Sequence, residues 1–210
     1  FYDGQTPYIL IRMHRLEWLL GQILYILMTS VVYTLVMILL HVLVLIPHVE
    51  WNTDWGAVLR TLGSNPDAAA ERGINIMWIS GDIIALFSAG EAMVLGSLQY
   101  ILVSSFIGML IFCGNVMSNR TAGIFLAGAM VFFASFAASF GGFLIPSSFL
   151  FWFAPVTWVS ISYLNWGLDP TLPPIGYADS ILVLCILIFG ALAAWAFCKR
   201  DIPIQTGRRS

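Results

Sequence analysis

The chain has 210 residues, 60% of them hydrophobic and only 10% charged, with 9 Lys and Arg against 11 Asp and Glu for a formal net charge of -2. Such a composition excludes an ordinary water-soluble domain and leaves an all-α integral membrane protein as the expected fold class, with no nucleic-acid partner. The 3 cysteines, Cys113, Cys185 and Cys198, fall inside or at the end of apolar stretches, so neither a disulfide framework nor a zinc site is expected.

The sequence begins Phe-Tyr-Asp-Gly-Gln-Thr-Pro rather than with methionine or a signal peptide, which suggests an N-terminally incomplete protein with further spans upstream. Thr6 and Pro7 then form a helix start, a hydroxyl that caps free amides before a ring preset for the first helical position. Over residues 6–20, Ile9, Met13, Leu16 and Leu20 share one face while Arg12 and Arg15 lie together on another. This amphipathic helix is expected to lie along the membrane, with Gly21 as the flexible point where it turns into the first upright helix. Two readings fit the arginines. They snorkel to anionic headgroups, or they belong to a docking helix whose exposed His14, Arg15, Glu17 and Trp18 enter a groove on a cytoplasmic partner.

A spanning helix needs about 20 apolar residues. Residues 18–46, 92–117, 121–145 and 180–198 satisfy this, leaving 47–91 and 146–179 as loops with short helices and 199–210 as a tail. Basic residues near span ends stay in the cytoplasm. Arg12, Arg15, Arg120, Lys199, Arg200, Arg208 and Arg209 gather on one side, against Arg60 and Arg72 on the other, so both visible ends are expected in the cytoplasm of a bacterial plasma membrane.

Residues 74–89 are short for a span and carry Asp82, so an outer surface helix is expected there. Residues 147–166 are long enough to cross, yet Pro155 breaks their middle and Trp152, Trp158 and Trp166 suit an interface. A re-entrant or surface-lying pair of short helices is expected, with crossing by both stretches, six spans in all, as the alternative.

On the first span Gln22, Tyr25, Thr29, Ser30, Tyr33, Thr34 and His41 share about half of the helix circumference. They form the candidate substrate path, or else make ordinary interhelical hydrogen bonds. In the third span Gly123, Ala127, Ala134, Ala138 and Gly142 make a close-packing face. Asp82 and Glu91 could attract a cationic substrate but also suit a solvated helix face. His41, His48 and Glu50 are too loosely spaced to read as a metal site. The chain contains no GxxxxGK(S/T) loop, HExxH or GxSxG, so neither ATP hydrolysis nor another catalytic role is expected of it.

The run of residues 8–25, with Ile11, Arg12, Arg15, Trp18, Gly21 and Tyr25, resembles a pattern in membrane subunits of ATP-binding-cassette exporters, the export-type permeases of Gram-positive bacteria. Gln22 stands where that pattern usually has lysine. Residues 54–59 (DWGAVL) and 153–158 (FAPVTW) add looser agreement, so that the similarity covers nearly the whole chain. The resemblance implies a six-span permease seen here from the end of its second span onward. Residues 6–20 would then be the coupling helix on a separate ATPase subunit, and residues 117–123, with Asn119 and Arg120, a second cytoplasmic contact or else a plain tight loop. It further implies a second permease subunit as partner, a lipid bilayer around both, and ATP and Mg on the ATPase, with no cofactor on this chain. The cargo would be an amphiphile such as a peptide or antibiotic. A stand-alone membrane immunity or scaffold protein, or a secondary carrier, is the other reading; a carrier would hold ionisable groups at mid-membrane and broken helices in internal repeats, and neither stands in the four expected spans.

Overall fold

The computed structural model describes residues 15–46, 52–65, 81–118, 121–144 and 147–199. Among them the chain is all-helical, and four helices are long and apolar enough to cross a membrane. In chain order the elements are α1 (Arg15–Leu45), α2 (Ala57–Ser64), α3 (Gly81–Leu86), α4 (Ala89–Met117), α5 (Ala122–Leu144), α6 (Ser147–Phe151), two 3-10 turns at Thr157–Val159 and Ile161–Tyr163, and α7 (Ile175–Lys199).

Two boundaries differ from the sequence expectation for identifiable reasons. α4 starts at Ala89 rather than at residue 92, because Ser88 and Glu91 form a capping box. The Ser88 N–H donates to Glu91 Oε2 at 2.9 Å and the Glu91 N–H donates to Ser88 Oγ at 3.3 Å, satisfying two end amides reciprocally. Glu91 is therefore a capping residue as well as an exposed acidic group. α7 starts at Ile175, directly after Pro173 and Pro174, so Asp179 belongs to the helix and not to the loop before it.

α4 is the central helix, packed by α1, α5 and α7. Near the start of α1, Trp18 stacks on Phe197 near the end of α7, with centroids 4.8 Å apart. Phe112 and Cys113 of α4 pack with Ala193 of α7 and Ile26 of α1. The start of α1, the end of α4 and the end of α7 thus share one end of the bundle, termed basal below. α2, α3 and the segment after α5 cover the opposite, distal end, where the Ala89 N–H donates to Thr53 O at 2.9 Å and Phe87 meets Trp166 edge to face at 4.7 Å.

α1 passes through Gly21 as one uninterrupted helix, so no turn occurs there. A glycine costs a helix about 1 kcal/mol relative to alanine but does not break it when both neighbouring turns are good helix formers. Residues 15–20, expected in the surface-lying helix, instead continue directly into the long helix, while residues 6–14 of that expected helix lie outside the described residues.

Residues 147–166 form no single helix. α6 ends at Phe151, and the reason is Pro155, whose ring would strike the carbonyl four residues earlier if the helix continued. That Phe151 carbonyl accepts a hydrogen bond from Trp158 Nε1 at 2.7 Å instead. Trp158 is 1% exposed and sits in a buried cluster with Val103, Phe106, Leu164, Ala178 and Leu182. Val103 and Phe106 are roughly 21–25 Å along α4 from its first residue at 1.5 Å per residue, so the segment dips into the bundle without traversing it. Trp158, expected at an interface, is instead packed inside the fold, where its N–H finds a backbone acceptor. Trp152 and Trp166 behave alike, donating to Thr171 O at 2.9 Å and Ile161 O at 2.8 Å, and both remain partly exposed.

Apolar burial separates spans weakly when the surroundings are lipid, so close approach and polar bonds must hold them. α5 meets α4 where Gly114 and Gly123 cross: a Cβ on Gly114 would sit 2.7 Å from the Cα of Gly123. The Gly123 N–H, free at the helix start, donates to Asn115 Oδ1 at 3.0 Å. Ala127, Ala134 and Ala137 continue this face, at 5%, 6% and 1% exposure.

Candidate functional site

Of the expected ATPase contacts, Glu17 and Trp18 have described side chains, and both fall at the basal end. Arg12, His14, Asn119 and Arg120 lie outside the described residues; Arg15 begins α1, its side chain likewise outside them. Glu17 is exposed there. Trp18 is half-buried because its ring stacks on Phe197, so it secures α1 to α7 rather than standing out from the surface. Next to it Leu19 is 3% exposed, and at the end of α7 the Lys199 ammonium sits over the Trp195 ring, 4.2 Å from its centroid.

The candidate substrate path on α1 divides. Thr34 and Ser30 are buried against the bundle and spend their hydroxyls on their own helix, donating to Ser30 O at 2.8 Å and Ile26 O at 3.0 Å. Tyr33 is 50% exposed and stacks on Tyr100 of α4 at 6.1 Å. Tyr25, at 67% exposure, and Thr29 face away from the other helices, while Gln22 is intermediate. The half-circumference read from sequence is thus split between a packed edge and an outward one. A cavity of about 390 Å³ follows the packed edge, between Thr34, Met37 and His41 of α1 and Met93, Gly96, Ser97 and Tyr100 of α4. His41 Nδ1 is 2.6 Å from Met37 O within its own helix; His48 and Glu50 lie outside the described residues.

Two further cavities lie at the distal end around Trp55. One, of about 430 Å³, is walled by Trp55, Leu59, Ile83, Ile84, Met93, Gly96 and Ile161. The other, of about 490 Å³, contains Asp54, Arg60, Ser64 and Phe87 and again borders Trp55 and Ile84. Trp55 Nε1 donates to Phe87 O at 2.6 Å, which fixes the indole in the wall that both cavities share. These volumes match those of small-molecule sites, which are mostly apolar with few polar groups.

Sequence reading missed one polar pair. Gln99 of α4 is 2% exposed, and its Nε2 donates to Asp179 Oδ1 of α7 at 2.5 Å. Gln99 Oε1 is buried without a partner among the described residues. The available signal was a lone amide inside an apolar run together with an acid only five residues past Pro174; setting the span boundary at residue 180 hid the acid from the helix. An ionisable group inside a spanning helix marks functional or structural importance. Outside the spans, Thr171 donates its hydroxyl and then its amide to Asp169, at 2.7 and 2.9 Å, and so holds that carboxyl below its ordinary range. Burial pushes the Tyr163 phenol up.

Compared with protein-family models, with curated proteins and with solved structures, the chain matches none.

Proposed function

We propose that this chain is a permease subunit of an ATP-binding-cassette exporter, acting beside a second permease and driven by a separate ATPase that carries ATP and Mg, and that its cargo is amphiphilic. The observation that carries the reading is convergence at the basal end. The motif-bearing start of α1, the α4–α5 connection and the end of α7 emerge there together, so one partner could reach all three. ATPase closure against residues 6–20 would push α1, and through the Trp18–Phe197 stack α7, toward one of two packed states. Under this reading the basal end is cytoplasmic in a bacterial plasma membrane, as the basic residues 12, 15, 120, 199, 200, 208 and 209 favour.

The test is mild-detergent purification of the tagged protein from its native host. Wild type is expected to bring an ATPase with it, and Arg12→Glu with Arg15→Glu to release that ATPase while leaving the protein in the membrane. If nothing copurifies with wild type, the reading fails. A stand-alone protein acting by helix association then takes its place, since the spanning stretch of α1 is only 11% buried and could receive another helix.

A further inference from the structure

Gln99 and Asp179 meet where α4 and α7 run side by side in the same direction; equally far along both helices, Cys113 packs with Ala193. Gln99 lies about 15 Å along α4 from its first residue, at 1.5 Å per residue. Beyond the pair, toward the basal end, Val103 and Phe106 of α4 and Leu182 of α7 belong to the buried cluster around Trp158, so apolar side chains close that side. Asp179 is half-buried, which leaves its carboxylate reachable from outside the core.

Two oxygens at this point lack positive charge beside them. Gln99 Oε1 is buried without a partner, and Asp179, inside a helix long and apolar enough to span, makes no ion pair; both statements hold among the described residues, where Asp54 and Arg60 form the one ion pair. A carboxylate with no counter-charge is costly in a span. The bond from Gln99 Nε2 to Asp179 Oδ1, at 2.5 Å, brings a dipole but no charge. Because the C–N and C=O bonds of the amide are about 1.3 and 1.2 Å long, Oε1 lies within about 5 Å of Asp179 Oδ1. Calcium, whose radius sodium nearly matches, takes oxygens at about 2.3–2.6 Å, so one ion of that size reaches both atoms. We propose that Gln99 and Asp179 hold a monovalent alkali cation between α4 and α7, with Asp179 supplying the charge, Gln99 Oε1 a neutral oxygen and water the remaining ligands. The charge of the ion follows from the single carboxylate, since a divalent ion would leave excess charge within the spans. Its class follows from the donors, which are oxygens without imidazole or thiolate.

The site rests on the α4–α7 contact and goes beyond the exporter reading. An ion held by both helices ties them together, so its occupancy favours the packing in which Gln99 and Asp179 meet. The cation response needs no ATPase and ATPase copurification needs no cation, so the two readings fail separately.

The experiment follows thermal unfolding of the full chain in nanodiscs of neutral lipid, by helix content, in the chlorides of sodium, potassium, calcium and N-methylglucamine at one ionic strength. Sodium or potassium is expected to raise the midpoint saturably over N-methylglucamine, by about 3–6 °C at ten times the dissociation constant of the ion, and calcium is not. Asp179→Asn, which keeps the shape and an acceptor for the Gln99 N–H, should erase the rise. Gln99→Glu, which keeps an oxygen and adds a second negative charge, should enlarge it. Equal midpoints in sodium, potassium and N-methylglucamine, or a rise that Asp179→Asn leaves intact, would overturn the proposal. A rise in calcium alone would overturn the monovalent assignment, and a rise in Gln99→Glu no larger than in wild type would remove Gln99 from the site.

Discussion

Removing the Asp179 carboxylate should cost more than removing the glutamine that binds it. In Asp179→Ala the Gln99 amide, 2% exposed, loses its one partner among the described residues and leaves both of its polar atoms buried and unsatisfied there. A stranded buried polar group costs about 1–3 kcal/mol, whereas interhelical bonds within membranes measured by double-mutant cycles average about 0.6 and reach about 1.7 kcal/mol. The expected loss for Asp179→Ala is therefore about 1–3 kcal/mol. Gln99→Leu removes the same bond, but it also removes the orphaned Oε1 and fills the site with apolar volume, while half-buried Asp179 near the distal end of α7 keeps access to polar surroundings. Its loss should stay at or below about 1 kcal/mol, the net value of an ordinary hydrogen bond. The double variant should resemble Gln99→Leu, making it more stable than Asp179→Ala alone, because contacting partners are not additive. Reversible unfolding of the purified protein in mixed micelles, followed by helix content, gives the four free energies of the cycle. Additive losses, or a Gln99→Leu loss as large as that of Asp179→Ala, would refute the argument that the stranded amide dominates.

Two other outcomes follow from the geometry. Gly123→Leu drives a side chain into the Ile111 backbone carbonyl and Asn115, so α5 must shift away from α4; a loss of at least about 1–3 kcal/mol is expected in the same unfolding assay, whereas Gly128→Leu, with open space around it, should be near neutral. Asp169, held by Thr171 below its ordinary range, contributes to its turn above the ordinary carboxylate pKa and loses that contribution as pH falls through the lowered value. Exchange of the Thr171 amide should accelerate in acid relative to the Asp169→Asn variant at the same pH, and identical acid responses in the two proteins would contradict this.

Helix existence was legible because composition and run length speak directly: a stretch of about 20 apolar residues has few alternatives to spanning. Boundaries were less legible. The Ser88-Ala-Gly-Glu91 box and the Pro173-Pro174 pair are local start signals, and weighing them would have set α4 and α7 three and five residues earlier. The small-residue face of α5 was readable from spacing, while the polar face of α1 was not, because periodicity gives angles about one axis and is silent on which angle meets a neighbour. Ser30 and Thr34 met α4; Tyr25 and Thr29 did not. The expected ATPase contacts rest on motif resemblance alone, and among them the Trp18 ring is taken up by Phe197.

The sequence by itself determined that this is an all-helical chain with four apolar stretches long enough to span a membrane, that Pro155 interrupts the stretch after the third, and that its basic residues lie outside those four stretches. Each of these depends on residues close along the chain. Only the tertiary structure decided that Trp158 lies in the core, that Gln99 and Asp179, 80 residues apart, share a bond, and that two cavities share Ala92, Met93 and Gly96 of α4 as lining. Those facts depend on which faces of distant helices meet. That choice is made by close packing and polar satisfaction between spans, because hydropathy cannot distinguish a side chain facing another helix from one facing lipid.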